Sequence, residues 1–177
     1  MPNYRRLWVP GGTYFFTVTL ADRRSTLLVD EIVVLRLAYR EVMRRQPWIT
    51  EAIVVLPEHL HCVWRLPHGD TDFAGRWQAI KSLFTRQLSH SQPVTARQRR
   101  KRERGIWQTR YWEHLIRDEA DFRHHLEYIF FNPVKHGLVS QPSAWPYSTF
   151  HREVRSGRYP AEWAASPDAP DGEYGEA

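Results

Sequence analysis

The sequence predicts an α+β domain of the ferredoxin-like kind: a split βαβ antiparallel sheet with helices on one face, and one further helix appended. Three observations carry this. Segments rich in β-branched and aromatic residues recur at 13–20 (TYFFTVTL), 49–56 (ITEAIVVL) and 59–66 (HLHCVWRL). Stretches with apolar residues at helical spacing separate and follow them, so the order is strand–helix–strand–strand–helix–strand. The chain has 177 residues, 42% of them hydrophobic, enough for one core and too few for two full-sized domains.

The elements follow in order. Gly11-Gly12 precedes the first strand, and a polar turn at 22–25 ends it. Asp30 stands where a helix N-cap belongs, and Ile32, Leu35 and Val42 then recur at helical spacing to Gln46, stopped by Pro47. Strand 49–56 turns at Pro57-Glu58 into the returning strand 59–66. Asp72 caps a second helix carrying Phe73, Trp77, Ile80, Phe84 and Leu88. Residues 90–104 have no apolar period and read as a basic loop. A fourth strand is expected within 106–116, then a third helix from Asp118-Glu119 to about Phe131, broken by Asn132-Pro133 and ended by Gly137. Residues after Ser140 read as an irregular packed segment. The domain is expected to span 1–165, with an acidic, disordered tail at 166–177.

The formal charge is +5, which favours a polyanionic partner, and 22 of the 25 basic residues are arginine. Arginine suits bidentate phosphate contacts, although a GC-rich genome produces the same bias. The concentrated charge is Arg97, Arg99, Arg100, Lys101, Arg102 and Arg104, expected to track phosphates, with Arg5 and Arg6 near the start. Trp77 and Trp112 suit either base stacking or core packing. One cysteine, Cys62, excludes an internal disulfide and a cysteine-rich zinc site. No apolar run approaches a membrane span, and no signal-type stretch follows Arg5-Arg6, so a cytoplasmic setting is expected.

Two groups of residues have chemical potential. His59 and His61 alternate along one strand, so both imidazoles leave the same face and are able to share a divalent metal. Packing explains a lone H-x-H equally well. Tyr128 and Asn132 stand four apart on the third helix and share a face. Asn132 offers a neutral oxygen ligand; Tyr128 offers a phenol that needs a nearby cation or base to become a nucleophile. Laid across the sheet, that helix would bring the two groups together. His114, His124, His125, His136 and His151 are read as outside the ligand set, because the strand already supplies a chelating pair.

The ordered set Pro57-Glu58-His59-Leu60-His61, Trp107-Gln108, Tyr111-Trp112-Glu113-His114 with Arg117-Asp118-Glu119, and Tyr128-Ile129-Phe130-Phe131-Asn132-Pro133-Val134-Lys135-His136-Gly137 resembles the REP-associated tyrosine transposases, relatives of the single-tyrosine HUH transposases. The resemblance covers nearly the whole chain. It implies a metal, Mg²⁺ or Mn²⁺, held by His59, His61 and Asn132, with Tyr128 as nucleophile. Glu58 would either orient a histidine or end the turn. It implies action on single-stranded DNA with palindromic hairpins, read at a short tetranucleotide by the hairpin foot, through a 5′-phosphotyrosine that is rejoined without ATP. Lys135 and the basic residues named above would contact that DNA, and the chain would act as a monomer. Relatives often carry His where this chain has Phe130, so any role of that imidazole in proton transfer or DNA contact is missing here. A hairpin-binding module without catalysis is the competing expectation. A rolling-circle initiator is disfavoured, because its ATPase domain does not fit this length.

Overall fold

Backbone pairing organises everything else. In this computed structural model, which describes residues 7–89 and 105–164, β1 (Thr13–Thr19), β2 (Ile49–Val55), β3 (His59–Arg65) and β4 (Trp112–Leu115) form one sheet. Its order is β2-β3-β1-β4, and every neighbouring pair is antiparallel. β3 therefore lies between β1 and β2, and β1 between β3 and β4, the split βαβ arrangement expected from the sequence.

Alternation along the strands makes two cores. Tyr14, Phe16, Val18 and Leu20 join Leu60, Cys62 and Trp64 on one face, buried by Leu35, Ala38 and Val42 of α2 (Ile32–Arg45) and by Phe73, Trp77, Ile80 and Phe84 of α3 (Phe73–Ser89). Trp77 stacks on Trp64 at 4.2 Å, so its ring is spent in this core, whereas Trp112 on the edge strand is 39% exposed. Cys62 packs here as a small hydrophobe, and burial pushes its thiol well above the ordinary value. The opposite face carries Phe15, Ala52, Val54 and Val63 under Ile129 and Phe130 of α4 (Glu119–Lys135) and Phe150 of α5 (Phe150–Arg155). Two covered faces explain why TYFFTVTL and HLHCVWRL read as nearly continuous hydrophobic runs. Each fully buried large side chain contributes about 1.5–3 kcal/mol.

Three expectations are corrected, and the fourth strand, found within 106–116 as expected, is narrowed. Asp30 does not cap α2: it ends a short α1 (Leu27–Asp30) and accepts from Thr26 Oγ1 at 2.6 Å, while Glu31 stands at the α2 N-cap. The stretch 106–116 is divided. Trp107 makes an isolated bridge with Leu20, and continuous pairing is confined to Trp112–Leu115. α4 does not stop at Asn132-Pro133 but runs to Lys135, with Pro133 buried inside its last turn. Proline there has no N–H to donate to the Ile129 carbonyl one turn back, and packing of α4 against β2 and β3 holds the turn in spite of that loss. Gly137 (φ 68°) then closes a Schellman motif, with Leu138 N–H donating to Pro133 O and Gly137 N–H to Val134 O. Last, the segment after Ser140 is not merely irregular. A 3₁₀ turn at Pro142–Ala144 leads to a strip in which Tyr147 O, Ser148 and Thr149 pair along the outer edge of β2, covering it before α5 begins.

Arg5, Arg6, Arg97, Arg99, Arg100, Lys101, Arg102, Arg104 and the tail at 166–177 lie outside the described residues. Among the described residues no helix is long and apolar enough to cross a membrane.

Candidate active site

β3 presents His59, His61 and Val63 to the α4 face, the consequence of a two-residue repeat. Both imidazoles are fully buried. Their Nε2 atoms stand 3.1 Å apart. Two ligands at right angles around an ion, each about 2.1 Å from it, are separated by about 3 Å, so the pair fits a shared divalent ion. The remaining ring nitrogens are held from outside. His59 Nδ1 lies 2.9 Å from Glu58 Oε1, and His61 Nδ1 lies 2.8 Å from Thr17 Oγ1. Thr17 stands directly opposite His61 in the β1–β3 register, so the hydroxyl arrives by strand pairing rather than by sequence proximity.

Those partners set the protons. A carboxylate only accepts, so His59 Nδ1 carries the hydrogen and its Nε2 presents a lone pair. Burial raises the Glu58 carboxyl, but the hydrogen bond from His59 Nδ1–H, with the Arg23 guanidinium at 3.9 Å, outweighs it and holds the group below its ordinary value. His61 Nε2–H then donates to His59, and Thr17 O–H to His61 Nδ1. Thr17 is able to serve the other tautomer too, because a hydroxyl both donates and accepts.

α4 lies above this pair. The Tyr128 ring meets His61 edge-on at 5.3 Å, and the ring of His136, the α4 C-cap, meets His59 at 5.1 Å. Asn132 is one turn from each on the same face, and it is fully buried. Tyr128 and His136 thus bracket Asn132 above the two histidines. Lys135 Nζ donates to the Tyr128 hydroxyl at 3.3 Å, with its charge 4.9 Å from the ring centroid. The structure therefore brings together His59, His61, Glu58, Tyr128, Asn132 and Lys135. Thr17 and His136 complete the surroundings. For His136 the sequence signal is the i+4 continuation of the Tyr–Asn face; Thr17 has none, because strand register alone sets it opposite His61.

Phe130 points elsewhere. Two residues along a helix rotate the side chain by about 200°, and Phe130 packs fully buried among Phe150, Tyr159 and Trp163. Position 130 therefore falls on the packing side of α4. Among the described residues, His114, Asp121 and His125 form a second group of metal-ligating type, with candidate ligand atoms within 4.8 Å of one another.

The chain is 50% identical over 164 residues to a REP-associated tyrosine transposase of Escherichia coli (strain K12), covering 93% of this chain and 92% of that one. It is 47% identical over 169 residues to a putative REP-associated tyrosine transposase of Haemophilus influenzae (strain ATCC 51907 / DSM 11121 / KW20 / Rd), covering 95% and 96%. Among solved structures, a REP-associated tyrosine transposase bound to a REP hairpin matches all of this chain and 98% of that one, at 48% identity and a TM-score of 0.88. No protein-family model matches the chain.

Proposed function

The chain belongs to the REP-associated tyrosine transposases, and from that premise we propose that it cuts and rejoins single-stranded DNA at REP-type hairpins through Tyr128. The observation that carries this reading is the Tyr128 ring against His61, on the helix face that also holds Asn132 above the His59–His61 pair.

His59, His61 and Asn132 would hold a divalent ion, Mg²⁺ or Mn²⁺, and Glu58 and Thr17 orient the two imidazoles from outside. When bound, that ion supplies Lewis-acid polarisation of the scissile phosphate. Every other part is played by the chain. Tyr128 Oη attacks phosphorus, an Oη–P bond forms, and the P–O3′ bond breaks. The 3′-oxygen leaves and takes up a proton, and the 5′ side remains as a phosphotyrosine. Lys135, donating to the phenol oxygen, stabilises the negative charge that builds there as the phenolic proton departs. The reverse attack by a 3′-hydroxyl restores a phosphodiester with no external energy, because the phosphotyrosine keeps the bond energy.

The DNA contacts proposed for Arg5, Arg6, Arg97, Arg99, Arg100, Lys101, Arg102 and Arg104 are electrostatic, so hairpin affinity should fall steeply with salt. We place the activity in a cytoplasmic monomer, with nucleoid association when it holds DNA.

Tyr128→Phe tests the reading. Incubated with labelled single-stranded hairpins and Mn²⁺, wild-type protein should give a covalent protein–DNA adduct. The variant should give none while keeping its hairpin affinity. A variant that still nicks removes Tyr128 from the mechanism, and wild-type binding without any adduct favours the non-catalytic hairpin-binding module.

A further inference from the structure

A second cluster of titratable groups stands one turn before Tyr128. His114 lies on β4 opposite Phe15 of β1, under the N-terminal half of α4. Asp121 and His125, four apart on α4, share the face above it. His114 Nε2 lies 2.9 Å from Asp121 Oδ2, and His125 Nδ1 lies 3.1 Å from Asp121 Oδ1. The two imidazoles stack nearly parallel, 16° apart, with centroids at 4.7 Å. The carboxylate also receives the Arg117 backbone N–H at 3.0 Å and Arg117 Nε at 3.4 Å, which closes the turn from β4 into α4.

Although the residue types suit a metal, the protons suit hydrogen bonds. His125 Nδ1 is 2.8 Å from the Asp121 main-chain carbonyl, which only accepts, so that nitrogen carries a hydrogen and offers no lone pair. Both Asp121 oxygens already receive donors. Burial raises the Asp121 carboxyl, but the hydrogen bonds from His114 and Arg117 and the neighbouring imidazoles outweigh this and keep it low, as befits an acceptor.

The cluster points towards the candidate site through one ring. His125 packs on Phe15 at 4.8 Å; Phe15 stacks on His61 at 5.5 Å and meets Tyr128 edge-on at 6.0 Å. We propose that the His114–Asp121–His125 clasp is a positioning device, which ties α4 to β4 and, through Phe15, fixes how Tyr128 stands over His61. The inference rests on the strand-transfer reading above, with these three as positioning residues that touch neither DNA nor reacting atoms.

The test compares wild type, Asp121→Asn, His114→Ala and His114→Gln. The measurements are single-turnover hairpin cleavage in Mn²⁺, hairpin affinity without divalent ion, and Tm. Asp121→Asn and His114→Ala should cleave at least tenfold more slowly at saturating hairpin, with affinity within twofold of wild type. His114→Gln, whose amide N–H stands where imidazole Nε2–H does, should recover most of the rate. Cleavage by Asp121→Asn at the wild-type rate overturns the clasp. So does a rate loss that merely follows Tm, with His114→Gln no better than His114→Ala. A second bound Mn²⁺ or Zn²⁺ in wild type that Asp121→Asn loses reassigns the cluster as a metal site. Wild-type protein that binds the hairpin without cutting it sinks the strand-transfer reading itself, and this inference with it.

Discussion

Replacing Thr17 by valine removes one hydroxyl and leaves a side chain of nearly the same shape in the same strand. Thr17 is 1% exposed, and its Oγ1 lies 2.8 Å from His61 Nδ1, itself fully buried. Without the ion, the variant orphans one buried acceptor. We take the lower end of the usual penalty, about 1 kcal/mol, or ~3 °C in Tm for a chain of this size. With the ion on Nε2, His61 must carry its hydrogen on Nδ1, a donor made stronger by the cation, and the loss is larger. Outer partners of metal-bound histidines are typically worth about 10–100-fold in affinity, or roughly 1.4–2.7 kcal/mol. Titration calorimetry with Mn²⁺ should therefore show Thr17→Val binding at least tenfold more weakly than wild type. Thr17→Ser keeps the hydroxyl and should stay within about threefold. Equal Mn²⁺ affinity in wild type and Thr17→Val would falsify the reasoning, since it would mean that the hydroxyl does not set the His61 tautomer.

Two further outcomes follow from packing and charge. Phe130→His should lower Tm by several degrees, because it puts an imidazole among Phe150, Tyr159 and Trp163, a change worth about 2 kcal/mol. Its cleavage rate should remain within twofold of the parent, and a tenfold gain would place that side chain at the site instead. Glu153 is 3% exposed; burial raises its carboxyl, but hydrogen bonds from Arg158 and Arg152 hold it below the ordinary 4.5. A depressed folded value stabilises above pH 4.5, and that stability is lost as pH falls through the folded value. Thermal melts from pH 7 to pH 3 should thus show Glu153→Gln less stable at pH 7 and converging with wild type in acid, whereas parallel curves would refute the assignment.

Much of the candidate site was legible because it depends on short periods. A two-residue repeat puts His59 and His61 on one face whatever the strand pairs with. A four-residue separation puts Tyr128 and Asn132 on one helix face and extends to His136. The strand–helix order likewise limits the sheet to a few topologies, and the split βαβ arrangement is one of them.

Tertiary structure decided what those periods leave open. No local pattern says that Thr17 faces His61, because register is fixed by two distant strands packing under a common helix layer. None predicts that α4 continues through Pro133, where a local penalty yields to packing against the sheet. The His114–Asp121–His125 clasp joins a strand to a helix whose relative placement is a property of the core. Phe130 shows both kinds of cause. The helical period alone turns it away from Tyr128, but only the packed α5 segment, with Phe150, Tyr159 and Trp163, shows that apolar surface was waiting there. The sequence thus determined which groups share a face, since bond geometry repeats locally; the fold decided which faces meet, since that depends on burying the whole chain's apolar surface at once.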